Sequence, residues 1–197
     1  MFWNQGEIYV KDSALIWVDG NFESTSADAI LDNQGSIYTR TGNQNGDFVL
    51  SDSALVYGSG LYALEGDWIN SARFQADQSL VLLEGDDEYI AGDSISWFYD
   101  LELQNTGRKI HSIDAFTTNT LNLNHRELAI DSFRMTVTNP AVDAILNDQT
   151  YLAEGFASTL GDGRLEREMN VDSLYRFPMG SSVGIQRYRS FDIEPST

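Results

Sequence analysis

The chain alternates. Apolar and polar residues change places at every second position in short runs, such as Glu7-Ile8-Tyr9-Val10 and Ser79-Leu80-Val81-Leu82-Leu83. A period of two puts successive side chains on opposite faces of a strand. Turn signals interrupt the runs at Asn4-Gln5-Gly6, Asp19-Gly20, Asn33-Gln34-Gly35 and Asn105-Thr106-Gly107. From 97 to 137 the spacing tightens around Phe98, Leu101, Leu103, Ile110, Ile113, Phe116, Leu121, Leu123, Leu128, Ile130, Phe133, Met135 and Val137. Helical readings are weak. Pro140 to Leu146 and Arg164 to Met169 contain helix formers, but each also reads as a strand beside a turn.

The strands repeat. Phe2-Trp3-Asn4-Gln5-Gly6-Glu7-Ile8-Tyr9 returns 29 residues later as Leu31-Asp32-Asn33-Gln34-Gly35-Ser36-Ile37-Tyr38. Asp12-Ser13-Ala14-Leu15-Ile16-Trp17 is echoed 40 residues on by Asp52-Ser53-Ala54-Leu55-Val56-Tyr57, and Val18-Asp19-Gly20-Asn21-Phe22 46 residues on by Leu64-Glu65-Gly66-Asp67-Trp68. A sandwich has no reason to reuse a turn, whereas stacked coils do. The fold expected is therefore all-β, a parallel solenoid with coils of unequal length. Residues 1–156 form the coils and 157–197 an irregular β cap that closes them. Gly6 and Gly35 are expected at equivalent corners with positive φ. Asn33, Asn105 and Asn124 are expected to hydrogen-bond along the stack.

Composition changes the picture in two places. The net charge is −18, from 30 acidic and 12 basic residues. That argues against nucleic acid and anionic membrane as partners, since both call for a basic face. No cysteine occurs, which removes disulfides and thiolate chemistry. No apolar run is long enough to span a bilayer. Met1-Phe2-Trp3-Asn4 shows no signal core, and Phe2 already belongs to a repeat. The expectation is a chain whose leader was removed, or a segment of a longer protein.

The stretch Phe98-Tyr99-Asp100-Leu101-Glu102-Leu103-Gln104-Asn105-Thr106-Gly107-Arg108-Lys109-Ile110, followed by Leu121-Asn122-Leu123, resembles a strand pair in large surface proteins of Bacteroidota. Phe177-Pro178-Met179-Gly180 and Tyr188-Arg189 are similar to the segment closing those modules; Ser190 stands where the family usually has Pro. The resemblance implies a right-handed parallel β-helix, exported by the type IX route to the cell surface, adhesin-like or gliding-associated, with no shared catalytic residues. Surface glycans or other surface proteins would be its partners.

Candidate chemistry is sparse. Glu84, Asp86, Asp87 and Glu88 form an oxygen-rich turn of the kind Ca²⁺ favours. No cofactor is required by any motif, so Ca²⁺ is the one ion in view. The spacing fits no established loop, and a solvated acidic turn is the commoner meaning of such a run. His111 and His125 lie 14 residues apart without ligand spacing. A carbohydrate-active enzyme is the alternative function, with Asp114, Glu127 and Asp131 as its carboxylates. Tyr57, Tyr62, Trp68 and Trp97 could stack on sugars, although alternation assigns Trp97 to the core. Seven of the ten arginines follow residue 125, making the C-terminal part the place for a polyanion contact or for charge balance.

Overall fold

In a computed structural model, residues 1–42, 44–148, 154–170, 172–184 and 187–196 are described. Up to Arg167 the chain winds through three faces, and the strands of each face pair in parallel with their counterparts one coil later. The result is an all-β solenoid of about seven turns, without helix among the described residues.

The first face holds eight strands: Phe2–Asn4, Phe22–Ser24, Phe48–Leu50, Trp68–Asn70, Glu88–Ala91, Arg108–His111, Glu127–Asp131 and Phe156–Thr159. The second holds four: Glu7–Val10, Ile30–Asn33, Leu55–Tyr57 and Arg73–Gln75. The third runs through Leu15–Asp19, Ser36–Arg40, Leu61–Leu64, Leu80–Leu83, Ser96–Leu103, Ala115–Asn122, Arg134–Val137 and Arg164–Arg167, with Ile145–Leu146 paired beside Ala115–Asn122. Where the second face stops, the strand Ser96–Leu103 covers two positions. Asp100–Leu103 pairs with Leu80–Leu83, while Ser96–Phe98 lies beyond an irregularity in register between Phe98 and Asp100. Phe98 there meets Phe74, the last inward ring of the second face, at 6.2 Å.

Register on the first face gives the coil lengths. Phe2 pairs with Phe22, Phe22 with Phe48, Phe48 with Trp68, Trp68 with Ile90, and later Glu127 with Phe156. The steps range from about 20 residues to 29. The inward side chains stack with them. Ring centroids of Phe2, Phe22, Phe48 and Trp68 follow one another at 5.1, 5.0 and 5.3 Å, nearly parallel. Beyond the area they bury, aromatic pairs of this kind contribute about 0.5–1.5 kcal/mol each. The indole N–H of Trp68 donates to Ser96 at 2.9 Å, so the deepest ring carries no orphaned donor.

The three echoes have different meanings. The 46-residue echo is true register: Phe22 and Trp68 occupy the same place two coils apart. The other two reuse a turn at different corners. Asn4 ends a strand of the first face and Asn33 one of the second, so Gly6 and Gly35 are not equivalent. Neither glycine has a positive φ. What they share is local. Each preceding Asn accepts the glycine N–H at 3.1 Å through Oδ1 and donates to the next coil, Asn4 to Ile30 O at 3.2 Å and Asn33 to Leu61 O at 3.0 Å. Asn105 and Asn124 also bond between coils, to the carbonyls of Glu84 and Leu103, both at 2.8 Å. Likewise Asp12-Ser13 and Asp52-Ser53 each sit in a tight turn closed by one backbone bond, Ala14 N–H to Lys11 O and Ala54 N–H to Ser51 O. Ser13 is left-handed in the first turn and both Asp52 and Ser53 in the second, before strands of the third and second faces.

Parallel pairing continues past residue 156, through Arg164–Arg167 on Arg134–Val137, so the stack reaches about ten residues into the segment expected to be cap. Antiparallel pairing begins with Tyr175–Phe177 against Phe191–Ile193, then Gly180–Ser181 against Arg187–Tyr188. Arg167 fastens this part. Its guanidinium donates to Ala141 O at 2.6 Å and Arg176 O at 3.2 Å and lies over the Tyr175 ring. The Tyr175 hydroxyl donates to Pro140 O at 3.0 Å.

Candidate functional site

The third face ends each coil with a polar residue. Asp19 is in register with Arg40, and Glu65, Glu84 and Gln104 directly follow the paired residues Leu64, Leu83 and Leu103. One such side chain therefore appears per coil, spaced by the strand distance of about 4.7–4.9 Å. Beside this column runs an open trough of about 640 Å³, lined by Trp17, Arg40, Thr41, Glu65, Glu84, Gln104 and Asn105.

Its polar floor is internally ordered. Arg40 pairs with Glu65 at 3.2 Å and also with Glu84. The Thr41 amide and hydroxyl both donate to Glu65, each at 2.8 Å. Partial burial pushes the Glu65 carboxyl up, but the Thr41 donors and then Arg40 outweigh it and hold it below its ordinary value. Trp17 is 57% exposed and forms one end. Its ring stacks on Tyr38 at 5.6 Å, and the Arg40 guanidinium lies 5.0 Å from its centroid. Its indole N–H donates to Asp19 at 3.1 Å.

A second trough, about 520 Å³, shares Thr41, Glu65 and Asn105 and adds Asp47, Asp67, Asp86, Asp87 and Tyr89. Its acids act as corner fasteners. Asp47 accepts the Asp67 N–H at 2.9 Å, Asp67 the Tyr89 N–H at 2.8 Å, and Asp87 the Arg108 N–H at 2.7 Å. Burial, and then the Asp47 charge, push the Asp67 carboxyl up against the opposing pull of the Tyr89 amide.

The four acids expected around a metal point in different directions. Glu84 joins Arg40, Asp86 accepts the Thr106 hydroxyl at 3.1 Å, Asp87 holds the Arg108 amide, and Glu88 turns inward. Among the described residues, no group of three or more His, Cys, Asp or Glu is placed to hold a metal ion. Under the turn sits a cation the sequence reading overlooked. Lys109 is wholly buried, in ion-pair contact with buried Glu88, and donates to Gly85 O at 2.8 Å, Asp86 O at 2.8 Å and Thr106 O at 3.1 Å. Its ammonium gathers oxygens much as a bound ion would. Burial lowers Lys109, against Glu88's pull, and pushes Glu88 up to about 7 against that of Lys109. Glu88 and Lys109 are in register one coil apart, a relation visible in sequence only once the coil length is known.

Two of the three carboxylates of the enzymatic alternative, Asp114 and Glu127, serve separate contacts. Asp114 accepts the Arg134 amide at 2.9 Å and pairs with its guanidinium at 3.0 Å. Glu127 accepts hydroxyls of Ser158 at 2.6 Å and Ser182 at 3.1 Å. Asp131 is a left-handed corner residue whose carbonyl accepts the Leu160 N–H. His111 is buried and held down to about 4 by desolvation, with Nδ1 3.2 Å from Ile113 O.

Among the aromatics, Tyr62 and Trp68 are core and Tyr57 is half-buried. Trp97 is 47% exposed, contrary to the expectation of burial. Ser96 and Phe98 take the inward parity of that strand, so Trp97 faces out and stacks on Phe116 at 4.0 Å. Several of the late cations are paired within the chain: Arg134 with Asp114, Arg164 with Glu166 and Arg176 with Asp192. Compared with known proteins, the chain matches no family model, no curated protein and no solved structure.

Proposed function

We propose that this protein is a non-catalytic, extracellular β-solenoid module of a bacterial surface protein, a stiff spacer or adhesin that offers its side face to a partner. The observation that carries the reading is the coil-on-coil stacking itself. Seven turns at about 4.7–4.9 Å give a column about 33 Å long, each coil supported by its neighbours. Reach and stiffness are what such a stack supplies. The resemblance of residues 97–137 to surface proteins of Bacteroidota supports export by the type IX route. Net charge −18 directs the choice of partner away from nucleic acid and toward surface glycans or other surface proteins. No helix among the described residues is long and apolar enough to cross a membrane. Ca²⁺ is a candidate for weak binding at Asp86 and Asp87, without a role in folding.

The rival is a carbohydrate-active enzyme. It would need an acid and a base held near one another across a substrate, whereas Asp114 and Glu127 are engaged with Arg134 and with two serines. Neutral and acidic polysaccharides incubated with the protein, assayed for new reducing ends or unsaturated products, decide between them. Binding to cells or glycans without turnover is expected. Turnover lost in Glu127→Gln or Asp131→Asn would replace the adhesin reading with the enzyme.

A further inference from the structure

We infer that the trough from Trp17 to Gln104 is a binding site for an uncharged, extended oligosaccharide lying along the coil axis. The inference rests on the adhesin reading and gives it a ligand class. A pyranose ring has an apolar C–H face and a rim of hydroxyls, so its site needs an aromatic plate and a row of mixed donors and acceptors. Trp17 supplies the plate. It is exposed, Tyr38 backs it, and its only N–H is already bonded to Asp19. What it offers a ligand is therefore ring surface rather than a donor.

The row is the polar column. Arg40, Glu65, Glu84 and Gln104 come one per coil, with Thr41 and Asn105 at the same rim. A linear chain of sugar units laid along the axis meets a new polar side chain at every coil. Charge narrows the choice. The floor has two carboxylates and one guanidinium, and Arg40 is shared between Glu65 and Glu84. It has no spare cation for a polyanion, and the neighbouring second trough, beyond the shared Thr41, Glu65 and Asn105, is lined by Asp47, Asp67, Asp86 and Asp87. A basic peptide is the competing occupant. One guanidinium between two carboxylates leaves the floor one negative charge, but both carboxylates are bonded to Arg40 and Glu65 also to Thr41. The Gln104 and Asn105 amides each keep an oxygen and one N–H beyond their bonds to Glu102 and Glu84 O, a mixed set suited to hydroxyls rather than to a row of cations.

The test titrates the full chain with cellohexaose, maltohexaose, xylohexaose and N-acetylchitohexaose by calorimetry, with hexagalacturonate and hexalysine as charged probes. Saturable binding of at least one neutral hexasaccharide is expected. Trp17→Ala should weaken it about tenfold or more, as loss of an aromatic anchor does, and Gln104→Ala should weaken it several-fold. Trp17→Phe should keep most of it. Trp97→Ala, an exposed aromatic outside the trough, should leave it unchanged. Circular dichroism of each variant checks that the fold persists. The inference is overturned if no neutral hexasaccharide binds, if Trp17→Ala binds as the parent does, or if hexalysine or hexagalacturonate binds more tightly than all four. Those outcomes leave the adhesin reading standing when cells are still bound, whereas polysaccharide turnover would remove that reading instead.

Discussion

Replacing Lys109 by Met is the most informative single change. The substitution keeps a long side chain but removes the ammonium, leaving Glu88 buried without its counter-charge. Three carbonyls, of Gly85, Asp86 and Thr106, lose a donor in the same step. Breaking a buried ion pair from one side costs about 3–5 kcal/mol. For a chain of this size 1 kcal/mol shifts the melting temperature by about 2–4 °C, so a fall of roughly 6–20 °C is expected by thermal denaturation. The pH dependence has a definite sign. Glu88 is already raised from 4.5 to about 7 by burial, and loss of Lys109 raises it further. A carboxyl raised in the folded state contributes stability below its unfolded pKa and loses that contribution as pH rises through the folded value. The Lys109→Met deficit should therefore be smallest near about pH 5, where only the lost carbonyl bonds count, and grow through and above about pH 7, as Glu88 is forced to ionise. Glu88→Gln combined with Lys109→Met should recover more than half of the loss, since an amide needs no counter-charge. Melting of Lys109→Met within about 2 °C of the parent at every pH would refute the claim that this pair fastens the turn.

Gly35→Ala should destabilise by about 1–3 kcal/mol, because a Cβ there would lie 2.4 Å from Ala14 O and 2.5 Å from Lys11 O. Gly6→Ala, with nothing within 4 Å, should stay within about 0.5 kcal/mol in urea denaturation; equal costs would restore the equivalence of the two corners. Trp68→Ala should cost about 3–5 kcal/mol for emptying the fully buried end of the ring stack, and Trp97→Ala clearly less. Calorimetric titration with Ca²⁺ should give at most weak heat that disappears in Asp86→Asn/Asp87→Asn, with an unchanged melting temperature; a strong Ca²⁺-dependent rise in melting temperature would make the ion structural.

The fold was legible in the sequence because strand parity and reused turns are local signals. Glu7-Ile8-Tyr9-Val10 and Leu80-Val81-Leu82-Leu83 read as alternating strands, and Ile8 with Val10, and Val81 with Leu83, do take the inward parity. The register was less legible. Asn4-Gln5-Gly6 and Asn33-Gln34-Gly35 make the same hydrogen bonds, but an Asn-to-amide bond two residues on carries no information about which face the chain is leaving. Parity failed at Trp97 because Ser96, a polar residue, takes the inward place, where it receives Trp68 and Asn70. The acidic turn was misleading for a related reason. Its carboxylates were visible, while the ammonium that completes it comes from the next coil.

The corners described above also say how such a chain can change length. Their bonds are made by side chains within a few residues of the bend, or to the coil directly behind it. Between Phe22 and Phe48 the path is longer than between Phe48 and Trp68, yet the three rings stack at 5.0 and 5.3 Å. Surplus residues at a bend are absorbed outside the column and leave the next strand where it was. Bends of this kind are natural places to graft foreign epitopes. They are also places where inserted sequence can drift over generations while the pairing beneath stays fixed.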